Sequence, residues 1–177
     1  MTVKRLNHAV LYVRDVDRSV RFYEEALGFS VKFSFPGAAF LQVPGSHNDH
    51  DLGLFGIGPD AGDNPAGRGT VGLYHLAWEV ETLGELQVLA ERLSGMGALV
   101  GASDHGTTKA LYAKDPDGIE FEASWLVPAE LIDEETLKAA ASVRPLDLAR
   151  EIARYGPDTP GLRSVVYEET GSIRKIG

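Results

Sequence analysis

Two histidines, His8 and His75, stand 67 residues apart in segments that read alike. "LNHAVLYV" runs from Leu6 to Val13 and "LYHLAWEV" from Leu73 to Val80; aligned without a gap, each has Leu, one residue, His, and a closing Val. Both alternate as strands do. Ala9, Leu11 and Val13 take one side and His8, Val10 and Tyr12 the other; Leu76, Trp78 and Val80 match the first set, and His75, Ala77 and Glu79 the second. The offset keeps face as well as residue, which a duplicated unit would do. A carboxylate comes from "IEFEASW", where Ile119, Phe121, Ala123 and Trp125 alternate with Glu120, Glu122 and Ser124. Glu120 and Glu122 share a face, so parity does not separate them. Two imidazoles and one carboxylate form a facial set with open positions, the pattern of non-haem Fe(II) oxygenases, and it would also suit Mn(II), Zn(II) or Ni(II). A lone strand histidine is more often satisfied or exposed than ligating. Two at equivalent repeat positions argue for ligation, provided the units pair about a pseudo-two-fold axis and their histidine faces line a shared cup.

The elements that would position these groups can be read from the pattern. After the first strand, Asp15 or Asp17 can cap a helix with Val16, Val20, Tyr23 and Leu27 as its apolar stripe and Gly28 as its stop. After the second, Thr82 and Glu85 have capping-box spacing, followed by Leu83, Leu86, Ala90, Leu93 and Met96, with Gly97 as the stop. Short apolar runs come next: "VKFSF", "AAFLQV" and "HDLGLF" in the first unit, "ALVGAS", "KALYAK" and "IEFEASW" in the second. The reading is strand-helix-strand-strand-strand, twice. This is an α+β fold of two βαβββ modules (3–55 and 71–125) pairing into a cupped mixed sheet within a domain of residues 1–125. Residues 56–70, rich in Gly, Pro and Asp, read as a mobile linker. Residues 126–177 read as a C-terminal helical extension: "PAELIDEETLKAAA" and "PLDLAREIARY" are helical, and "RSVVYEETGSIRKIG" is weakly patterned. This extension could pack on the domain, join a dimer or cover the site.

Composition sets limits. The chain has 177 residues, 44% hydrophobic and 24% charged, enough for one domain with a sizeable core. A formal charge of −9 argues against a nucleic-acid or anionic-membrane surface. No window reads as a membrane span, and the first residues look like an opening strand rather than a signal peptide, so a cytoplasmic location is expected. With no cysteine and five histidines, disulfides and thiolate chemistry are excluded, and any metal is held by His, Asp or Glu.

These residues resemble the vicinal-oxygen-chelate superfamily, which includes glyoxalase I, extradiol ring-cleavage dioxygenases, and bleomycin and fosfomycin resistance proteins. The resemblance covers about Val3 to Trp125. "HAVLYVRDVDRSVRFYEEALGF" is similar to the family's opening strand and helix, and "YAKDPDGIEFE" to its closing hairpin, where Ile119 replaces a usual Asn. Counted on that hairpin, Glu122 takes the ligand position, and the resemblance implies a metal held by His8, His75 and Glu122. Three further segments resemble the small, two-module proteins of the catechol 2,3-dioxygenase type. "HDLGLF" places His50 where that group carries an acid-base histidine beside bound oxygen. "HGT" places His105 where it carries a second active-site histidine. Tyr112, ten residues before Glu122, matches a tyrosine that touches substrate oxygen.

The resemblance implies an Fe(II)-dependent extradiol dioxygenase acting on an aromatic diol with dioxygen, in a homodimer. His50 would accept a catechol proton and later return one, and Tyr112 and His105 would hydrogen-bond the substrate oxygen. No organic cofactor is implied. Two other readings stand beside it. A glyoxalase-type lyase or isomerase on Ni(II) or Zn(II) would want a carboxylate from the first module, where only Asp51 is offered. A metal-free drug-binding protein would leave His8, His75 and Glu122 as coincidence.

Overall fold

A computed structural model describes residues 2–3, 5–66 and 69–162. Its first strand, β1 (Ala9–Val13), leads into helix α1 (Val16–Leu27), followed by β2 (Ser30–Phe35), β3 (Ala38–Gln42) and β4 (Leu52–Gly56). The order then recurs as β5 (Leu76–Glu79), α2 (Leu83–Gly95), β6 (Leu99–Asp104), β7 (Thr108–Lys114) and β8 (Glu120–Leu126). The repeat read from the sequence is present element for element. Two mixed sheets result, with strand orders β1-β4-β3-β2 and β5-β8-β7-β6, the latter extended by β9 (Arg144–Pro145). β1 runs parallel to β4, with Ala9 opposite Leu52 and Val13 opposite Gly56, and β3 joins β4 antiparallel. This crossover places the segments before β1 and β4, and so His8 and His50, at one end of the sheet.

Local chemistry explains the helices. The Asp15 side chain accepts the Arg18 amide at the N-terminus of α1, and Gly28 ends it in the left-handed region at φ 72°. Thr82 and Glu85 bond reciprocally: Glu85 N donates to Thr82 Oγ1, and Thr82 N donates to Glu85 Oε2. The buried face of α1 differs from the expected stripe. Ser19, Phe22, Tyr23 and Ala26 are buried, whereas Val16, Val20 and Leu27 are only half-buried. The helix is rotated toward its aromatic pair, Phe22 and Tyr23, whose larger area outweighs the β-branched residues.

By contacts the chain forms two compact units. One gathers the residues up to Trp78 with Val88–Gly101 and Leu111–Glu122; the other gathers Glu79–Gln87, Ala102–Ala110 and the described residues from Ala123 onward. In the first unit Phe22 and Tyr23 meet Phe121 edge-on or tilted, and Phe29 meets Trp78 at 5.1 Å. In the second, Trp125 is buried against Tyr155, and its indole donates to Thr159 O at 3.1 Å.

The extension contains α3 (Glu134–Ala140) and α4 (Leu148–Tyr155), as the sequence suggested. It also supplies β9, which the sequence did not suggest, because a two-residue strand carries no periodicity. Trp125 lies on the side of β8 that carries Ala123, and α4 packs against it through Tyr155. The segment from Arg163 to Gly177 lies outside the described residues.

Candidate metal and substrate site

β5 and β8 are neighbours in their sheet, and this brings His75 and Glu122 together. His75 Nε2 lies 3.1 Å from Glu122 Oε2, both side chains being largely shielded from solvent. Among the described residues, His75 Nδ1 is buried with no hydrogen-bond partner, so one buried ring atom is left unsatisfied. Two donors bound at right angles to one ion, with bonds of about 2.1 Å, also lie about 3 Å apart, so the pair has the spacing of adjacent metal ligands. The Tyr112 ring sits 5.7 Å from His75 and the Tyr74 ring 4.5 Å from it. The Tyr112 hydroxyl hydrogen-bonds Glu122; burial first, then the Glu122 charge, pushes its pKa up to about 12. Tyr112 therefore stays protonated and donates to the carboxylate.

His8 and His50 form a second pair. Their rings stand 4.4 Å apart. His8 Nδ1 lies 2.7 Å from Asn7 Oδ1, an acceptor, so Nδ1 is placed to donate to it. His50 Nδ1 lies 3.0 Å from Asp49 Oδ2, so Nδ1 is placed to donate to that carboxylate. Aromatic side chains surround His50: Phe40 at 4.9 Å and Phe33 at 6.2 Å, with Phe33 and Phe40 stacked at 4.4 Å. Phe33 and Phe35 remain exposed.

Among the described residues no three His, Asp or Glu side chains gather into a metal-binding group. The structure brings His75, Glu122 and Tyr112 together, and separately His8 with His50. His105 lies at the β6–β7 turn of the second unit, half-buried, with its amide donating to Thr108 O at 2.9 Å. Glu120, on the face of Glu122, lines a mostly apolar cavity of 470 Å³ with Val10, Tyr12, Tyr74, Leu76 and Ile119.

Sequence reasoning did not assign the two aspartates of the "DPDG" turn. Asp115 Oδ1 accepts the amides of Asp117 and Ile119, each at 2.9 Å, which shapes the turn before β8. Its other oxygen accepts the Tyr23 hydroxyl at 3.2 Å. Asp117 accepts the Arg14 amide at 2.9 Å, the Arg14 guanidinium at 3.1 Å, and the Arg18 guanidinium. Arg14 also reaches Ala61 O at 3.0 Å and Asp63 at 2.6 Å, tying the segment after β4 to the end of β1. The signal was present in the sequence, since two acids flanking a proline beside a glycine exceed what a turn needs.

Residues 5–123 match the model of the Glyoxalase/Bleomycin resistance protein/Dioxygenase superfamily. The chain belongs to that superfamily. It is 38% identical over 122 residues to biphenyl-2,3-diol 1,2-dioxygenase 3 of Rhodococcus globerulus, covering 67% of this chain and 62% of that protein. It is 34% identical over 117 residues to catechol-2,3-dioxygenase of Bacillus subtilis strain 168, covering 66% of this chain and 40% of that one. The chain thus spans only part of the length of these relatives. A glyoxylase/bleomycin resistance protein/dioxygenase domain from Frankia sp. EAN1pec superposes with a TM-score of 0.56 at 26% identity, covering 72% of this chain and 96% of that one. No helix among the described residues is long and apolar enough to cross a membrane.

Proposed function

We propose that this chain is an extradiol ring-cleavage dioxygenase acting on a catechol-type aromatic diol, with Fe(II) held by His75, Glu122 and His8. The observation that carries the reading is the His75–Glu122 pair at 3.1 Å, shielded from solvent and flanked by Tyr112. The likeness to two diol dioxygenases supports the reaction class. The donor set, two neutral imidazoles and one carboxylate, suits Fe(II) and equally Mn, Ni or Zn; the reaction favours iron.

His8 does not join the pair within one chain, which bears on assembly. β1 and β5 are edge strands of their sheets. Val10 and Tyr12 on β1, and Leu73 and Tyr74 before β5, are exposed large apolar residues. We therefore place the third ligand on a second copy: the homodimer juxtaposes His8 of one protomer with His75 and Glu122 of its partner, and the site is shared.

Bound there, the metal would polarise the diol oxygens and bring dioxygen beside the ring. The residues do the rest. The lone pair on His50 Nε2 accepts a catechol proton and later returns it, while Asp49 holds the ring through Nδ1. Tyr112 keeps its proton and orients Glu122. Phe33, Phe35 and Phe40 offer an aromatic platform beside His50. His105 is the candidate for hydrogen-bonding the substrate oxygen, and the Tyr112 oxygen, its proton committed to Glu122, is placed to accept from a substrate hydroxyl. The carbon–carbon bond beside the diol breaks, both oxygen atoms enter the product, and a ring-opened semialdehyde forms without an external reductant. A cysteine-free chain working on a small aromatic diol suits the cytoplasm.

A mixing experiment tests the site and its sharing together. His8→Ala and Glu122→Ala proteins each lose the metal. After subunit exchange at equal concentrations, half the dimers pair the two variants and carry one intact site, so about a quarter of wild-type metal returns. Wild-type protein that takes up no metal contradicts the site itself. Two metal-free variants whose mixture stays metal-free contradict only the sharing.

A further inference from the structure

The second unit buries a cluster of charges that the proposed reaction does not use. Lys109 stands on the side of β7 that carries Leu111 and Ala113, where an apolar residue would be expected, and its side chain is 1% exposed. Its ammonium lies 2.6 Å from Asp104 Oδ1 and 2.9 Å from Glu151 Oε2 of α4. Asp104 Oδ2 accepts Arg144 of β9 at 2.9 Å. Burial raises the Asp104 pKa, but hydrogen bonds from Lys109, Gly106 N and Arg144 outweigh it and hold the carboxyl below its usual range. A buried ion cluster is weak evidence for stability, because apolar residues of similar volume commonly serve as well. Its better-attested use is to fix one geometry.

The geometry fixed here is the turn that carries His105. Asp104 Oδ1 accepts Gly106 N at 2.8 Å. Gly106 has φ +76°, and a Cβ there would sit 2.4 Å from Ala140 N and 2.5 Å from Thr136 O, so α3 presses directly on the turn. Val127 N donates to Thr107 O at 2.9 Å. Asp104, Gly106 and Thr107 are thus each held by residues beyond β8, and His105 sits between them.

We infer that the C-terminal extension is a brace that sets the His105 imidazole, with Asp104, Lys109, Arg144 and Glu151 as positioning residues. The brace explains why a two-residue strand and two short helices are added to a domain that already has its full set of strands. The assignment of a chemical role to His105 rests on the dioxygenase reading; the brace itself does not.

Histidine-ring NMR of the intact chain tests it, with the His105 signal assigned by loss in His105→Gln. In Arg144→Gln, which cuts a half-exposed arm of the cluster, and in Glu151→Gln, the His105 ring signals shift or broaden while those of His8, His47, His50 and His75 stay in place. In the active enzyme the same variants lose about tenfold in kcat with KM little changed, the pattern of a misplaced group. An unmoved His105 signal in both folded variants overturns the brace. Should Glu151→Gln fail to fold, Arg144→Gln alone decides. A moved signal in a chain without oxygenase activity upholds the brace and rejects the dioxygenase reading instead.

Discussion

The two repeats carry the same Leu-x-His opening and put it to different use. In the second, His75 is shielded, faces Glu122 at 3.1 Å, and is backed by a tyrosine that donates to that carboxylate. In the first, His8 is exposed, bonds its sequence neighbour Asn7, and shares its surroundings with a second histidine and a group of phenylalanines. The repeats keep position and face, and the equivalent strand lies beside each histidine; what that strand carries differs. β8 brings an acid next to His75, and β4 brings His50 next to His8. On the proposed reading, one half would supply the paired donors and the other a third donor together with a base.

Substitutions break this comparison most sharply at its two centres. Glu122→Ala leaves a single donor in the second half, and the protein should lose nearly all bound iron, measured by elemental analysis. His50→Ala should keep the iron and lose about 10²–10⁴-fold in turnover, the usual weight of a general acid-base group. Full iron occupancy in Glu122→Ala would reject the ligand assignment.

A smaller effect separates the repeats at their glycine turns. Gly106→Ala forces an L residue to positive φ and drives its Cβ into the backbone of α3. It should destabilise by about 1–3 kcal/mol or more in denaturant unfolding. Gly37, at φ +85° in the corresponding region of the first repeat, has open space around its would-be Cβ, and Gly37→Ala should cost only the backbone strain.

Acid gives the mildest separation. Asp117, whose burial is outweighed by hydrogen bonds from Arg14 and Arg18, has a depressed folded pKa. So does Asp133, through the Thr136 amide it caps and through Arg154, and so does Asp104. Each binds protons more readily unfolded, so its stabilisation is complete above the unfolded value near 3.8 and is lost as pH falls through the folded values. Asp115, raised by burial, takes up its proton in the folded state first and offsets part of that loss. The urea midpoint should fall between pH 5 and roughly pH 3, and Asp133→Asn should shrink the drop.

Much of this was legible in the sequence because strand parity and capping residues are local signals. The two βαβββ orders, the Thr82–Glu85 box, Gly28, and Asp15 as one of two candidate caps with Asp17 came from them, whereas Glu122 was singled out by the family resemblance, because parity does not separate it from Glu120. The rotation of α1 toward Phe22 did not, since tertiary packing against Phe121 decides which side is buried. The separation of His8 from His75 was equally out of reach, because periodicity assigns faces within a strand and says nothing of how two sheets are placed. Lys109 was hidden for a related reason. A lysine in "KALYAK" reads as the solvated end of a strand until α4 supplies Glu151 from 42 residues away.

The central claim is most directly tested by loading the protein anaerobically with Fe(II), adding catechol and substituted catechols, and monitoring oxygen on admitting air. The account predicts one oxygen molecule consumed per diol, with a yellow ring-fission product. Iron bound at His75 and Glu122 with no oxygen uptake across that series would contradict it and move the chain toward the lyases and isomerases of its superfamily.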